Sequence, residues 1–133
     1  LAATAHPRVI GIGETGLDYY YDKSDRTVQQ ALFRLHIGVA REAGLPVIVY
    51  TRDAEEDTAA ILRDEMEKGA FPGLIHCFTA SADFARIVLD LGLVATLYTD
   101  QPVALMPSTV QKVFAANVGV SFFFPTSFEY VYP

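Results

Sequence analysis

The stretch TVQQALFRLHIGVAREAGLPVIVY, residues 27–50, decides the fold class because it joins a helical pattern to a strand pattern. Thr27 and Gln30 have the spacing of a capping box, and Gly44 is a typical residue to end a helix. The run LPVIVY that follows is rich in β-branched residues and predicts a buried strand. The predicted core stripe of the helix consists of Val28, Ala31, Leu32, Leu35 and Val39. The stretch therefore predicts one helix–strand unit of an α/β fold.

The same alternation continues on both sides of this unit. Buried strands are predicted at residues 8–14, 45–50, 73–78 and 92–98. A second helix is expected to be capped by Asp53 and to end at Gly69, and a third to be capped by Ser81 and to end at Gly92. This order predicts parallel strands joined by right-handed crossovers, with helices on at least one face of the sheet.

Length and composition limit the class of protein. The chain has 133 residues, which suits a single domain but is short of the roughly 250 residues of a closed eight-stranded β/α barrel. A hydrophobic content of 51% and a charged content of 20% exclude a disordered, collagenous or coiled-coil chain. A net charge of −6 indicates that the chain has no broad basic surface for duplex DNA. Any action on nucleic acid would therefore need a local source of positive charge, such as a metal ion.

Three features bear on the cellular compartment. The single cysteine, Cys77, excludes an internal disulfide and fits a reducing compartment. The longest charge-free run, residues 113–128, is too short and too polar to cross a bilayer, and the first eight residues lack the pattern of a secretory signal. We therefore expect a soluble, cytoplasmic protein with no membrane partner.

The composition changes near residue 94. The last forty residues contain three charged side chains but eight of the sixteen Phe and Tyr residues, including Phe122, Phe123 and Phe124 in a row. We expect one domain, residues 1–133, in which 94–133 form a divergent, irregular, aromatic-rich tail. Two interpretations stay open. The tail is either a buried terminal hairpin or a segment that does not belong to the fold of the preceding residues.

Polar residues follow the predicted strands. Because the carboxyl ends of parallel strands meet on one rim, we expect Glu14, Tyr50 with Arg52, His76 and Asp100 to lie on that rim. A carboxylate and an imidazole together suit a divalent zinc, manganese or magnesium ion. The residues alone also allow Glu14 to be a solvated carboxylate and His76 a core histidine bonded to a backbone carbonyl. His36 is expected either to lie on the exposed surface of the helix or to pack against a neighbouring element.

Four motifs resemble, in their order and spacing, those of the TatD-like metal-dependent deoxyribonucleases. They are VIGIGETGLDYYYD, the pattern QQxxFxxHIxxAR, LPVIVYTRDA and GLIHCFTAS, and together they cover residues 7–93. The resemblance implies an amidohydrolase-type β/α barrel that binds one or two divalent metals, Mg, Mn or Zn, and hydrolyses DNA phosphodiesters. On that basis we expect a partial TIM-type barrel with parallel strands, about four β/α units and the irregular tail.

The resemblance also implies roles for individual residues. Glu14 matches a metal-bridging glutamate and His76 a metal-binding histidine of the family. Asp100, in LYTDQP, lies in a tetrapeptide similar to one whose aspartate binds metal and helps to activate water, although it follows His76 by only 24 residues. Two interpretations stay open for it: a shortened join to that family segment, or an ordinary loop residue. Tyr50 stands where the family has a metal-binding histidine, and a phenol is a poorer ligand. Supporting roles are implied for Asp18, Arg52 and Asp53.

The function predicted from this resemblance is hydrolysis of DNA or another phosphodiester by a metal-activated water. The family's His-x-His pair is not found upstream of His6, so the chain resembles a truncated member, and whether it is an active enzyme stays open. One alternative is an inactive truncated barrel, for which we expect self-association through exposed apolar surface. The other is a small module that binds a phosphorylated ligand without chemistry.

Overall fold

The computed structural model describes residues 2–98 and 120–123, and its strands form one parallel sheet. The strands are β1 (Ile12–Asp18), β2 (Val47–Arg52), β3 (Gly73–Ile75), β4 (Val94–Tyr98) and β5 (Val120–Phe123). The helices are α1 (Arg26–Ala43), α2 (Glu55–Lys68) and α3 (Ala82–Asp90), and a short 3-10 turn spans Ala2–Ala5. The strand order is β1-β2-β3-β4-β5, which confirms the predicted parallel α/β architecture.

The helices form a single layer against one face of the sheet. Consecutive helices contact each other, and burial alternates along the strands: Val47 and Val49 are buried, whereas Ile48 and Tyr50 are partly exposed. Strand residues that face the helices belong to the same buried cluster as the helix residues Phe33, Ile37, Leu62, Phe84 and Val88. Because side chains alternate across a strand, the opposite face of the sheet is free to carry polar groups.

The first strand lies further along the chain than predicted. Residues 8–14 were expected to form it with Glu14 at its carboxyl end, but β1 runs from Ile12 to Asp18 and Glu14 lies inside it. The strand continues because Gly16 permits it: a Cβ at this position would lie 1.8 Å from the carbonyl oxygen of Tyr50. The predicted bounds were therefore wrong, since a glycine that suggests a turn here allows two backbones to approach closely.

The other strand ends also differ from the prediction. Strand β2 extends to Arg52 rather than ending at Tyr50, so both side chains belong to the strand. Strand β3 ends at Ile75, and His76 is the first residue beyond it. The backbone N–H of His76 still donates to the carbonyl of Val49, at 2.7 Å, which holds His76 against β2.

Two of the three predicted helix caps were wrong. Helix α1 is capped by Asp25, whose carboxylate accepts from the N–H groups of Thr27 at 2.9 Å and Val28 at 3.3 Å. The expected capping box of Thr27 and Gln30 does not form, because the helix already begins at Arg26 and the Gln30 side chain donates to Tyr19 and Asp57 instead. Asp53 does not cap α2: its φ is 53°, and the residue at the cap position is Ala54, with no side-chain hydrogen bond.

The remaining helix boundaries agree better with the sequence. The Ser81 hydroxyl accepts from the N–H of Phe84 at 3.2 Å, which confirms the predicted cap of α3. Gly44 ends α1 with a left-handed φ of 66°, as predicted, because glycine adopts this conformation without steric cost. Helix α3 ends at Asp90, two residues before the predicted Gly92.

The buried face of α1 is not the one predicted. Val28, Leu32 and Leu35 were expected in the core, but all three are exposed large hydrophobic residues. The core is instead reached by Phe33, Ile37 and Ala40. The helix carries apolar residues on two faces, and periodicity alone does not show which one packs against the sheet.

Two segments of the predicted irregular tail are regular strands, β4 and β5. Residues 120–123 form β5, which pairs in parallel with β4 from Ala95↔Val120 to Tyr98↔Phe123. Residues 99–119 and 124–133 of the tail lie outside the described residues. Among the described residues, no helix is long and apolar enough to span a bilayer.

A buried carboxylate connects α1 to α2. The Glu65 side chain is 4% exposed and accepts from Lys68 at 2.5 Å, Arg41 at 2.9 Å and Arg34 at 3.3 Å. Arg41 also donates to the carbonyls of Glu65 and Gly69. Burial alone would raise the pKa of Glu65, but the hydrogen bonds from the three cations outweigh it and the pKa is lowered. Glu65 is thus a charged buried group whose partners come from both helices.

Candidate functional site

Two of the predicted site residues converge on the face of the sheet that the helices leave open. The Oε1 atom of Glu14, on β1, lies 3.7 Å from the Nε2 atom of His76, which follows β3. Their side chains are 47% and 48% exposed, so both remain accessible to solvent. Divalent metals bind carboxylate oxygen and imidazole nitrogen at about 2.0–2.2 Å. Two donor atoms 3.7 Å apart are therefore close enough to contact one ion.

Cys77 contributes a third polar atom beside this pair. Its Sγ lies 3.1 Å from Nε2 of His76, and the residue is exposed with a φ of 47°. Across residues 2–98 and 120–123, no three or more His, Cys, Asp or Glu side chains are grouped so as to hold a metal ion. The described residues thus offer the pair Glu14 and His76 rather than a complete ligand shell.

Tyr50 lies beside Glu14. Gly16 of β1 is in register with Tyr50 of β2, and Tyr50 and Glu14 both line an open groove of about 350 Å³. The neighbouring Tyr50 side chain is the main reason why the pKa of the Arg52 guanidinium is raised, against the opposing effect of burial. Tyr50, which stands where the family has a metal-binding histidine, is therefore part of the same surface as Glu14.

The residues predicted to have supporting roles lie in different places. Asp18 and Arg52 are in register at the carboxyl ends of β1 and β2. The Asp18 carboxylate accepts from the backbone N–H groups of Tyr20 and Tyr21, and the Arg52 guanidinium stacks over the Tyr20 ring. Asp53 is exposed and does not line the groove. Asp100, the predicted catalytic residue, lies outside the described residues.

Sequence reasoning gave no role to Gln29, which braces the loop after β1. Its Oε1 accepts from the N–H of Asp18 at 2.8 Å, and its Nε2 donates to the carbonyls of Asp18 at 3.3 Å and Ser24 at 2.9 Å. The only signal was the place of Gln29 within the second motif. His36 packs as expected: its Nδ1 lies 2.7 Å from the Thr15 hydroxyl, and it lines the groove.

Comparison with known proteins identifies the class. The family model described as TatD related DNase matches residues 1–115, which is most of the chain. The protein therefore belongs to the TatD-related DNase family, as the four motifs predicted.

Several curated proteins are similar to about two thirds of the chain. It is 48% identical over 83 residues to the uncharacterized metal-dependent hydrolase YabD of Bacillus subtilis, covering 62% of this chain and 32% of YabD. It is 49% identical over 88 residues to the uncharacterized metal-dependent hydrolase YcfH of Escherichia coli K12, covering 66% and 33%. It is 40% identical over 88 residues to the 3'-5' ssDNA/RNA exonuclease TatD of Klebsiella pneumoniae, covering 65% and 33%. The chain spans about a third of the length of these relatives.

Solved structures agree on the fold. A hydrolase TatD family protein from Entamoeba histolytica superimposes with a TM-score of 0.66 at 20% identity, over 87% of this chain and 38% of that one. The TatD homolog YJJV of Escherichia coli K12 superimposes with a TM-score of 0.63 at 25% identity, over 74% and 41%. These likenesses confirm the predicted fold class, a part of a TIM-type β/α barrel.

Proposed function

We propose that this chain carries part of the active site of a metal-dependent hydrolase that cleaves nucleic-acid phosphodiester bonds. The observation that carries the proposal is the 3.7 Å separation of Glu14 Oε1 and His76 Nε2 on an open, solvent-accessible face. Relatives named as metal-dependent hydrolases, and one named as an ssDNA/RNA exonuclease, support this assignment.

The donor set fits a divalent ion in part. Glu14 and His76 supply one carboxylate oxygen and one imidazole nitrogen, a combination that suits zinc or manganese. Catalytic zinc usually takes three ligands from protein, so a third ligand is needed beside the pair, and Asp100 and Cys77 are the candidates within this chain. When bound at such a site, a divalent ion lowers the pKa of a water molecule and polarises a phosphoryl oxygen.

The chain's own residues hold the two donors in place. Strand β1 carries Glu14, and the backbone bond from His76 to Val49 fixes His76 at the end of β3. Glu14 thus comes from β1 and His76 from the end of β3, on either side of β2, and a rigid sheet sets their spacing. Half-exposed side chains at the open face leave room for a phosphodiester to approach.

The test combines metal binding with cleavage. Titration calorimetry with Zn²⁺ and Mn²⁺ on the full chain should show weaker binding in Glu14→Gln and His76→Ala. The exposed residues Glu67 and His6 provide the matched controls Glu67→Gln and His6→Ala, which should leave metal affinity unchanged. Loss of an outer-shell partner already costs about 10- to 100-fold in metal affinity, so loss of a direct ligand should cost at least as much.

Cleavage of a labelled oligonucleotide by the same variants tests the reaction. We expect cleavage that EDTA abolishes and that Glu14→Gln removes. Equal metal affinity in the site variants and the controls would overturn the metal site. Metal binding at Glu14 and His76 without cleavage would leave the site standing and refute the hydrolase assignment for this chain.

A further inference from the structure

We propose that Tyr20, Tyr21 and Arg52 form a platform that stacks an unpaired nucleobase of a single-stranded substrate. We call these three residues the tyrosine platform. The inference rests on the proposed function and goes beyond it by naming the residues that hold the substrate beside the Glu14 and His76 pair.

The platform exposes aromatic faces and a cation together. Tyr20 and Tyr21 are 56% and 55% exposed, and their rings meet edge to face with centroids 4.8 Å apart. The Arg52 guanidinium lies 4.0 Å from the Tyr20 centroid and 5.0 Å from that of Tyr21. Lys23 lies 5.3 Å from the Tyr21 centroid. Exposed rings beside cations are the combination that single-strand binding proteins use for bases and phosphates.

The loop that carries the two tyrosines is held in place. The Asp18 carboxylate accepts from the N–H of Tyr20 at 3.1 Å and of Tyr21 at 3.0 Å. Tyr19 is anchored on the other side, where its hydroxyl donates to Asp57 at 2.6 Å and accepts from Gln30 at 2.8 Å. The exposed rings therefore project from a braced backbone, so little ordering is needed when a ligand binds.

The platform lies next to the candidate metal site. Arg52 is two residues beyond Tyr50 on β2, so both side chains project from the same face about 7 Å apart. The groove that Glu14 and Tyr50 line extends to Lys23 in the loop after β1. A strand whose base stacks on the platform can thus run along this groove toward Glu14.

Charge and geometry favour a single strand over a duplex. A duplex already stacks its bases internally and binds through broad phosphate contacts, for which a chain of net charge −6 is poorly suited. An unpaired base has a free face for the tyrosine rings, and Arg52 and Lys23 supply local positive charge for a few phosphates. The tyrosine platform therefore favours a single-stranded substrate, whose unpaired bases are free to stack on the rings.

The experiment measures binding without hydrolysis. Fluorescence anisotropy of a labelled single-stranded oligonucleotide is followed in EDTA with the full chain and with Tyr20→Ala and Tyr21→Ala. Base–aromatic stacking corresponds to about 5- to 150-fold in affinity per base, so each alanine variant should bind more weakly by a factor in this range. Tyr20→Phe and Tyr21→Phe keep the rings and should bind like the parent chain.

Charge is tested with a matched pair of variants. Arg52→Ala should weaken binding, whereas Arg86→Ala removes an equal charge from α3 and should not. Unchanged binding in the tyrosine-to-alanine variants with native circular dichroism, or equal affinity for duplex and single strand, would overturn the platform. Because EDTA prevents metal-dependent cleavage, loss of binding in these variants supports the platform even if Glu14→Gln shows that this chain hydrolyses nothing.

Discussion

Replacing Glu65 with alanine tests how strongly one buried carboxylate holds α1 to α2. Removing one partner of a buried ion pair typically destabilises a protein by about 3–5 kcal/mol, because the other charge is left buried. Here the three cations are between 25% and 58% exposed, so water can solvate them again. Arg41 also keeps its bond to the Gly69 carbonyl. We therefore expect a loss of about 2–3 kcal/mol, below the range for a fully buried pair.

Urea unfolding followed by circular dichroism measures this loss as a shift in the midpoint at unchanged slope. The control is Glu67→Ala, an exposed glutamate on the same helix, which should change stability by less than about 0.5 kcal/mol. Glu65→Gln keeps the shape and the acceptor oxygen and should lie between the control and Glu65→Ala. If Glu65→Ala is no less stable than Glu67→Ala, the cluster does not hold the two helices together.

Three further outcomes follow from the same structure. Because the pKa of Glu65 is lowered on folding, its contribution to stability is present above the ordinary value of 4.5 and is lost as the pH falls through the lower folded value. Urea titrations from about pH 6 to about pH 3 should show a steeper loss in the parent chain than in Glu65→Ala, and parallel losses would contradict this. Tyr50→His adds an imidazole beside Glu14 and should raise Zn²⁺ affinity by about tenfold or more in calorimetry; unchanged affinity would mean that the two positions do not share an ion. Leu32 and Leu35 are exposed on α1, so we expect self-association in sedimentation velocity that the Leu32→Lys, Leu35→Lys variant reduces, and a parent chain that stays monomeric would refute it.

The order of strands and helices was predictable because the signals that set it are local. Buried strands and helix stops such as Gly44 can be recognised from a few neighbouring residues. The end of β1 was not predictable in this way. From the sequence alone, Gly16 is typical of a turn. Only its close approach to the Tyr50 backbone shows that it belongs inside a strand.

The buried face of α1 depends equally on tertiary structure. The helix has apolar residues on two faces, and the sequence favoured Val28, Leu32 and Leu35. The sheet instead packs against the face that carries Phe33 and Ile37. Which of two apolar faces is buried depends on where the partner strands lie, and periodicity within one helix does not contain that information.

The candidate site could be predicted where motifs carried it. Glu14 and His76 were identified from their places in two motifs, and the structure brings their side chains together. The bracing of the tyrosine loop was not predicted, because it depends on contacts such as Gln29 with Asp18 that join separate elements. Polar contacts between elements have no periodic signal in the sequence, so they emerge only with the fold.

The proposal that Glu14 and His76 bind one divalent ion can be tested directly by nuclear magnetic resonance. The chain has three histidines, so its imidazole nitrogen signals can be assigned individually during a Zn²⁺ titration. The account predicts that Nε2 of His76 shifts on Zn²⁺ addition, that the His6 signals do not, and that Glu14→Gln weakens the His76 response by about tenfold or more. A His76 signal that does not shift on Zn²⁺ addition, or that shifts equally with and without the Glu14 carboxylate, would contradict the account.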